Sequence, residues 1–181
     1  FERTLNAVGL ELRMERFALF GNVYGRGGTE AISAEVGKAL FDRFFEEEVD
    51  RLDPVPGAAE GLARLAETAQ IVVLTNAPKT ARDGRARWLK AQGMDYPLIV
   101  NEGLKGPECA RLSARTRRRS AFVDDLLPNL MSVHRDAPAV ALFQSVADPR
   151  LRPLAPTDPA ICARHDDWAE LAPALERALG G

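Results

Sequence analysis

The apolar positions of the chain change their period near residue 53, and that change divides the sequence into two parts. Before it the spacing is helical. Phe1, Leu5 and Val8 recur at helical intervals with Gly9 as a stop, and residues 14–20 read as a second helical stretch. Ile32, Val36, Leu40, Phe44 and Phe45 mark one broad face of a third helix over residues 30–49. No strand is evident in this part. The glycine-rich stretch 21–29 follows no strand and fits neither G-x-G-x-x-G nor G-x-x-x-x-G-K-[ST], so it reads as a connector between helices.

After the punctuation Pro54-Val55-Pro56-Gly57, helical and β-branched runs alternate. A helix with Ala58, Leu62, Leu65, Ala66 and Ala69 on its inner stripe precedes the apolar run 71–74, which reads as a buried strand. Helix 80–92, anchored by Trp88 and Leu89, leads to strand 97–100. Helix 107–117, with Cys109 and Leu112 inward, leads to strand 121–123; helix 128–135 leads to strand 139–143. Ile161-Cys162 adds a short edge strand. The last helix, 167–179, opens on Asp167 with Glu170 at capping-box spacing and stops at Gly180. Such alternation predicts an α/β fold, a three-layer arrangement of one parallel sheet with helices on both faces.

Composition narrows the function classes. A chain of 181 residues suits one compact domain with a small inserted or appended part. Its 24 basic and 26 acidic residues leave a net charge of −2, which provides no electrostatic footprint for nucleic acid and no polybasic handle for membranes. No apolar run approaches the roughly 20 residues of a spanning helix, and the expected location is cytoplasmic. Cys109 and Cys162 stand in apolar surroundings and read as core residues, not as a disulfide framework or zinc cage. His134 and His165 lack a second ligand at metal spacing and read as surface or capping residues. Trp88 and Trp168 read as core.

In a parallel α/β sheet ligands bind at the carboxyl ends of the strands. The first strand is followed by Thr75-Asn76-Ala77-Pro78, the second by Lys105-Gly106-Pro107, and the third by Asp124-Asp125 with Asn129 beyond. Each has an ordinary explanation: Thr75 as a helix cap, Lys105 as an exposed loop residue, the aspartates as N-caps. Together on one edge they suit phosphate chemistry. Carboxylates bind Mg²⁺ through oxygen, and the cation, an ammonium and a hydroxyl hold a phosphoryl group.

On these residues the chain resembles the haloacid dehalogenase (HAD) superfamily, mostly Mg²⁺-dependent phosphatases with an aspartate nucleophile. The run ending Thr75-Asn76 is similar to the second motif of that family, Lys105-Gly106-Pro107 to the third, and Phe122-Val123-Asp124-Asp125 to the acidic fourth. The resemblance implies that Thr75 and Asn76 bind the transferring phosphoryl and that Lys105 steadies its charge. It implies that Asp125 binds Mg²⁺ while Asp124 orients or assists. Asn129 stands where many members carry a further acid, a departure that weakens the ion site. Residues 1–52 would be a small helical cap, with Tyr24, Arg26 and Phe45 available to line the cleft, and residues 53–181 the α/β core.

The family's first motif, a strand ending Asp-x-Asp, has no counterpart. Asp50 and Asp53 follow a charged helix instead of a buried strand and are rejected. The resemblance therefore implies a nucleophile upstream of Phe1. It also implies that strands 71–74 and 121–123 flank a vacant slot two strand spacings wide, about 9–10 Å. The function expected is hydrolysis of a small phosphorylated substrate through a phosphoaspartate, with Thr75, Lys105 and Asp125 converging on one phosphate-sized pocket. A degenerate, non-catalytic binding protein is one alternative. A phospho-accepting receiver is another, disfavoured because Thr75 and Lys105 precede the acidic pair. A phosphonate-cleaving relative would need a buried cap lysine; Lys38 is the only lysine before the core and nothing marks it as buried.

Overall fold

A computed structural model describes residues 1–18 and 21–180. It is a mixed α/β fold with small parallel sheets. None of the described helices is long and apolar enough to cross a membrane.

The second part of the chain follows the predicted alternation. Helix α3 (Ala58–Ala66) precedes strand β3 (Val73–Thr75), helix α4 (Arg82–Ala91) leads to β4 (Leu98–Val100), and α5 (Gly106–Ser113) leads to β5 (Ala121–Asp124). Helix α6 (Leu127–Asp136) is followed by β6 (Ala141–Gln144), β7 (Ala163–Arg164) and α7 (Trp168–Gly180). The edge strand thus lies two residues beyond the expected Ile161-Cys162. The capping box is replaced: the Asp167 carboxylate accepts from Arg152 Nη2 at 2.9 Å, and its main-chain oxygen receives Glu170 N–H and Leu171 N–H.

Strands β3 and β4 form one parallel pair, with Thr75 opposite Val100; β5, β6 and β7 form a second parallel sheet, with Asp124 opposite Gln144. β3 and β5 belong to different sheets and are not paired with each other. Even so, Leu74 of β3 and Phe122 of β5 pack into one core, while Val73 of β3 packs into another with Ala58, Trp88, Leu89 and Met94, and Ile71, just before β3, joins the second core of β5. Leu74 and Phe122 meet Cys109, Leu130, Val133, Leu142 and Cys162 beside α5 and α6. On the opposite face, Ile71, Ala121 and Val123 meet Leu65, Phe143, Leu171 and Leu175 beside α3 and α7. Period-two alternation along each strand produces this division. Close approach of α3 to α7 requires Gly61, where a Cβ would come within 2.5 Å of the Trp168 ring.

Residues before 53 depart from the all-helical expectation. Helices α1 (Glu2–Ala7) and α2 (Ala34–Glu48) are present, the latter capped by Ser33, whose Oγ accepts from Val36 N–H at 3.3 Å. Between them, however, β1 (Leu10–Leu12) and β2 (Val23–Gly25) pair antiparallel. The glycine stretch is therefore partly strand, turned at Gly27 with φ +73. The helix expected over residues 14–20 does not form in its described part, 14–18. Its physical reason is Asn22, fully buried, whose Nδ2 donates to Arg16 O and Ala18 O at 2.7 Å each. Those are carbonyls that a helix would spend on its own N–H groups. Leu19 and Phe20 lie outside the described residues.

This first part climbs α4 toward the strand ends. Leu52 O accepts from Trp88 Nε1 at 2.7 Å, Val49 abuts Gly84, and Glu46 meets Thr80 Oγ1 at 3.3 Å. Helix α1, joined to α2 through the rings of Phe1, Phe41 and Phe44, reaches the loop after β6, where Glu2 pairs with Arg150 at 2.8 Å.

The loop after β6 is stitched by Asp166, which accepts from Val146 N–H and from Arg164. Burial alone would raise the Asp166 carboxyl, but those hydrogen bonds and the charges of Arg164 and Arg152 hold it below the usual range. A depressed folded-state value contributes stability above the ordinary carboxylate range, near pH 4, that is lost as pH falls through the folded value. In urea unfolding, Asp166→Asn is therefore expected to be less stable than wild type at pH 7 and to approach it near pH 3. A constant difference would contradict this role.

Candidate phosphate-handling edge

Lys105 closes the second βα connection and Asp124 ends β5, and the two meet. Lys105 Nζ lies 2.7 Å from Asp124 Oδ2, with side-chain exposures of 13% and 3%. This pair joins the carboxyl end of one sheet to that of the other. The second oxygen of Asp124 accepts from Leu126 N–H at 2.8 Å and Asn129 Nδ2 at 3.0 Å. Asp124 is therefore not a helix cap, since no side chain caps α6; it holds the N–H of Leu126 just before that helix and is an ion-pair partner. Asn129, standing where the resemblance would place a further acid, is a buried donor that holds Asp124.

Asp125 points elsewhere. Its side chain is exposed, and among the described residues it has no salt-bridge partner. The surrounding protein crowds its carboxyl and the neighbouring Asp124 charge repels it, in that order, so its pKa is raised.

Thr75 ends β3, and its Oγ1 accepts from Ala77 N–H at 3.1 Å, leaving the hydroxyl proton free to donate. Asn76 is tied to the exit of β4: Nδ2 donates to Gly103 O at 2.9 Å, and Oδ1 accepts from Asn101 Nδ2 at 3.0 Å. Its amide therefore shapes the edge, leaving main-chain N–H groups as the donors there. Gly106, after the lysine, sits against α6, its N–H on Ser132 Oγ at 3.1 Å.

Cys109 is buried, its thiol raised to about 11 by desolvation, consistent with a core role. His134 is exposed; His165 Nδ1 lies 3.6 Å from Glu170. Two cavities, of about 340 Å³ between α1 and α2 and about 390 Å³ around Leu104, Pro128, Met131, Ser132 and Arg135, are lined by none of the expected site residues. At the carboxyl edge Lys105 and Asp124 are in contact, Asp125 follows Asp124, and Thr75 ends the neighbouring sheet.

Gln144, fully buried at the end of β6, was outside the strand read from sequence; a polar residue closing an apolar run was its only signal. Among the described residues no group of three or more His, Cys, Asp or Glu side chains could hold a metal ion. No protein-family model matches the chain, and no curated protein matches it.

Lys105→Met leaves the buried Asp124 charge unpaired and is expected to cost about 3 kcal/mol in denaturant unfolding. Gly106→Ala places a Cβ against Ser132 O and Asp136, so it is expected to cost about 1–3 kcal/mol. Wild-type stability in either variant would contradict the packing described.

Proposed function

We propose that this chain forms most of a HAD-type, Mg²⁺-dependent phosphohydrolase acting on a small phosphorylated metabolite. The observation that carries the reading is the Lys105–Asp124 bridge between two parallel sheets whose strands β3 and β5 share one core, through Leu74 and Phe122, without pairing. Parallel strands in finished sheets are covered on both faces and paired on both sides. Here β3 and β5 are only half-buried, and Val72, just before β3, is 40% exposed. A further strand between them would complete a three-layer α/β/α core and bring an aspartate beside Lys105. Residues 1–52, which reach over the carboxyl edge from α4 to Arg150, then act as its cap.

In this reading the incoming carboxylate attacks phosphorus, the ester oxygen departs with a proton, and water cleaves the acyl phosphate. Thr75 donates its hydroxyl to a phosphoryl oxygen, and Lys105, held in place by Asp124, offsets the developing charge. Asp125 supplies one carboxylate oxygen for the cation. Mg²⁺ is commonly held by one or two carboxylates plus phosphate and water, so the residues present fit half a site. When bound, the ion neutralises phosphoryl charge. A second reading, a phosphate binder without turnover, is favoured by the absence of a three-ligand cluster among the described residues.

The polypeptide, with any residues preceding Phe1 included, is expected to hydrolyse p-nitrophenyl phosphate only with Mg²⁺. Asp125→Ala is expected to lower the rate at least about 10²-fold, consistent with loss of one charge-stabilising group. Undiminished activity in EDTA would refute the reading. Mg²⁺-dependent phosphate binding without turnover would select the second.

A further inference from the structure

Gln144 stands opposite Asp124 in the β5–β6 register and is completely buried. Its Nε2 donates both hydrogens to main-chain carbonyls, Asp125 O at 3.0 Å and Pro156 O at 2.8 Å. These acceptors fix the orientation of the amide, since a flip would set Oε1 against two carbonyl oxygens. Oε1 is left without a partner. A buried, unpaired acceptor is costly, and an apolar side chain of equal length would avoid that cost. What the amide contributes must therefore come from the two carbonyls it holds.

One of them belongs to Asp125. Asp124 is pinned by Lys105, Leu126 N–H and Asn129, whereas the Asp125 carboxylate has no ion-pair partner among the described residues. Its placement depends on its main chain. The other carbonyl belongs to a loop that is itself braced. Arg152 Nε donates to Val146 O at 3.0 Å, and Arg164 Nη2 donates to Arg152 O at 2.8 Å. The Asp125 carboxyl is met by the main-chain N–H groups of Asp125 and Leu126, so by clamping the Asp125 peptide to a stiff support Gln144 also fixes the turn that holds this carboxylate.

We infer that Gln144 is a positioning residue that aims the Asp125 carboxylate; what that carboxylate binds rests on the phosphohydrolase reading. Gln144→Met keeps length and removes both donors. Leu175→Ala, in the core beside α7, provides a destabilised control remote from the edge. Mg²⁺ affinity is measured calorimetrically, and amide exchange at Leu126, whose N–H bonds Asp124, is measured by NMR without metal. Gln144→Met is expected to weaken Mg²⁺ binding and speed Leu126 exchange, each about tenfold, the equivalent of one hydrogen bond. Leu175→Ala should leave affinity unchanged. If Gln144→Met matches wild type in affinity, or its Leu126 exchange is no faster than in Leu175→Ala, the positioning role is wrong. If the wild type itself binds no Mg²⁺, the phosphohydrolase reading fails, and the exchange comparison alone still decides whether Gln144 orders the turn.

Discussion

The ion pair between Lys105 and Asp124 is the contact on which the candidate site depends. Both groups are largely withdrawn from water, and desolvating two charges costs several kcal/mol per ion before attraction offsets it. The pair is sustained because Asp124 is also satisfied by Leu126 N–H and Asn129, so neither carboxylate oxygen is stranded. Such a pair stabilises less than an apolar contact of the same volume would. It does fix position: the loop after β4 is held to the end of β5, and two separate sheets share one carboxyl edge. The ammonium also lies 5.9 Å from the Phe122 ring, a further mild attraction.

The fold around that pair is well packed in one half and open in the other. β6 is buried along most of its length, whereas β3, β4 and β5 are half-buried, although all are built from apolar residues. Hydrophobic burial favours covering such strands, and unpaired strand edges attract further pairing. Thr75 and Asp124 end the two strands that lack a common neighbour, and Asp125 faces solvent there.

Much of this was legible in the sequence, for identifiable reasons. The β-branched runs from residue 71 onward are short, apolar and punctuated, so no helix competes for them. Lys105 and Asp124 could be placed on one edge because each follows a strand. The β1–β2 pair could not be read, since three-residue strands such as Leu10-Glu11-Leu12 also fit a helical face. What excludes a helix over residues 14–18, between the two strands, is Asn22, whose buried amide takes the carbonyls of Arg16 and Ala18. The same limit applies at the edge. Asn129 looked like a lost acid because its partner, five residues back, was not visible in the pattern. Gln144 offered only a polar residue at the end of an apolar run, which announces neither burial nor two carbonyl partners.

The measurement that bears most directly on phosphate handling at this edge is an NMR titration of the chain with inorganic phosphate, with and without Mg²⁺. Amide and side-chain shifts are expected to move together at Thr75, Ala77, Lys105 and Asp125, more strongly with Mg²⁺ present. Phosphate that perturbs only other regions, such as the arginine-lined cavity between α1 and α2, or nothing at all, would contradict it.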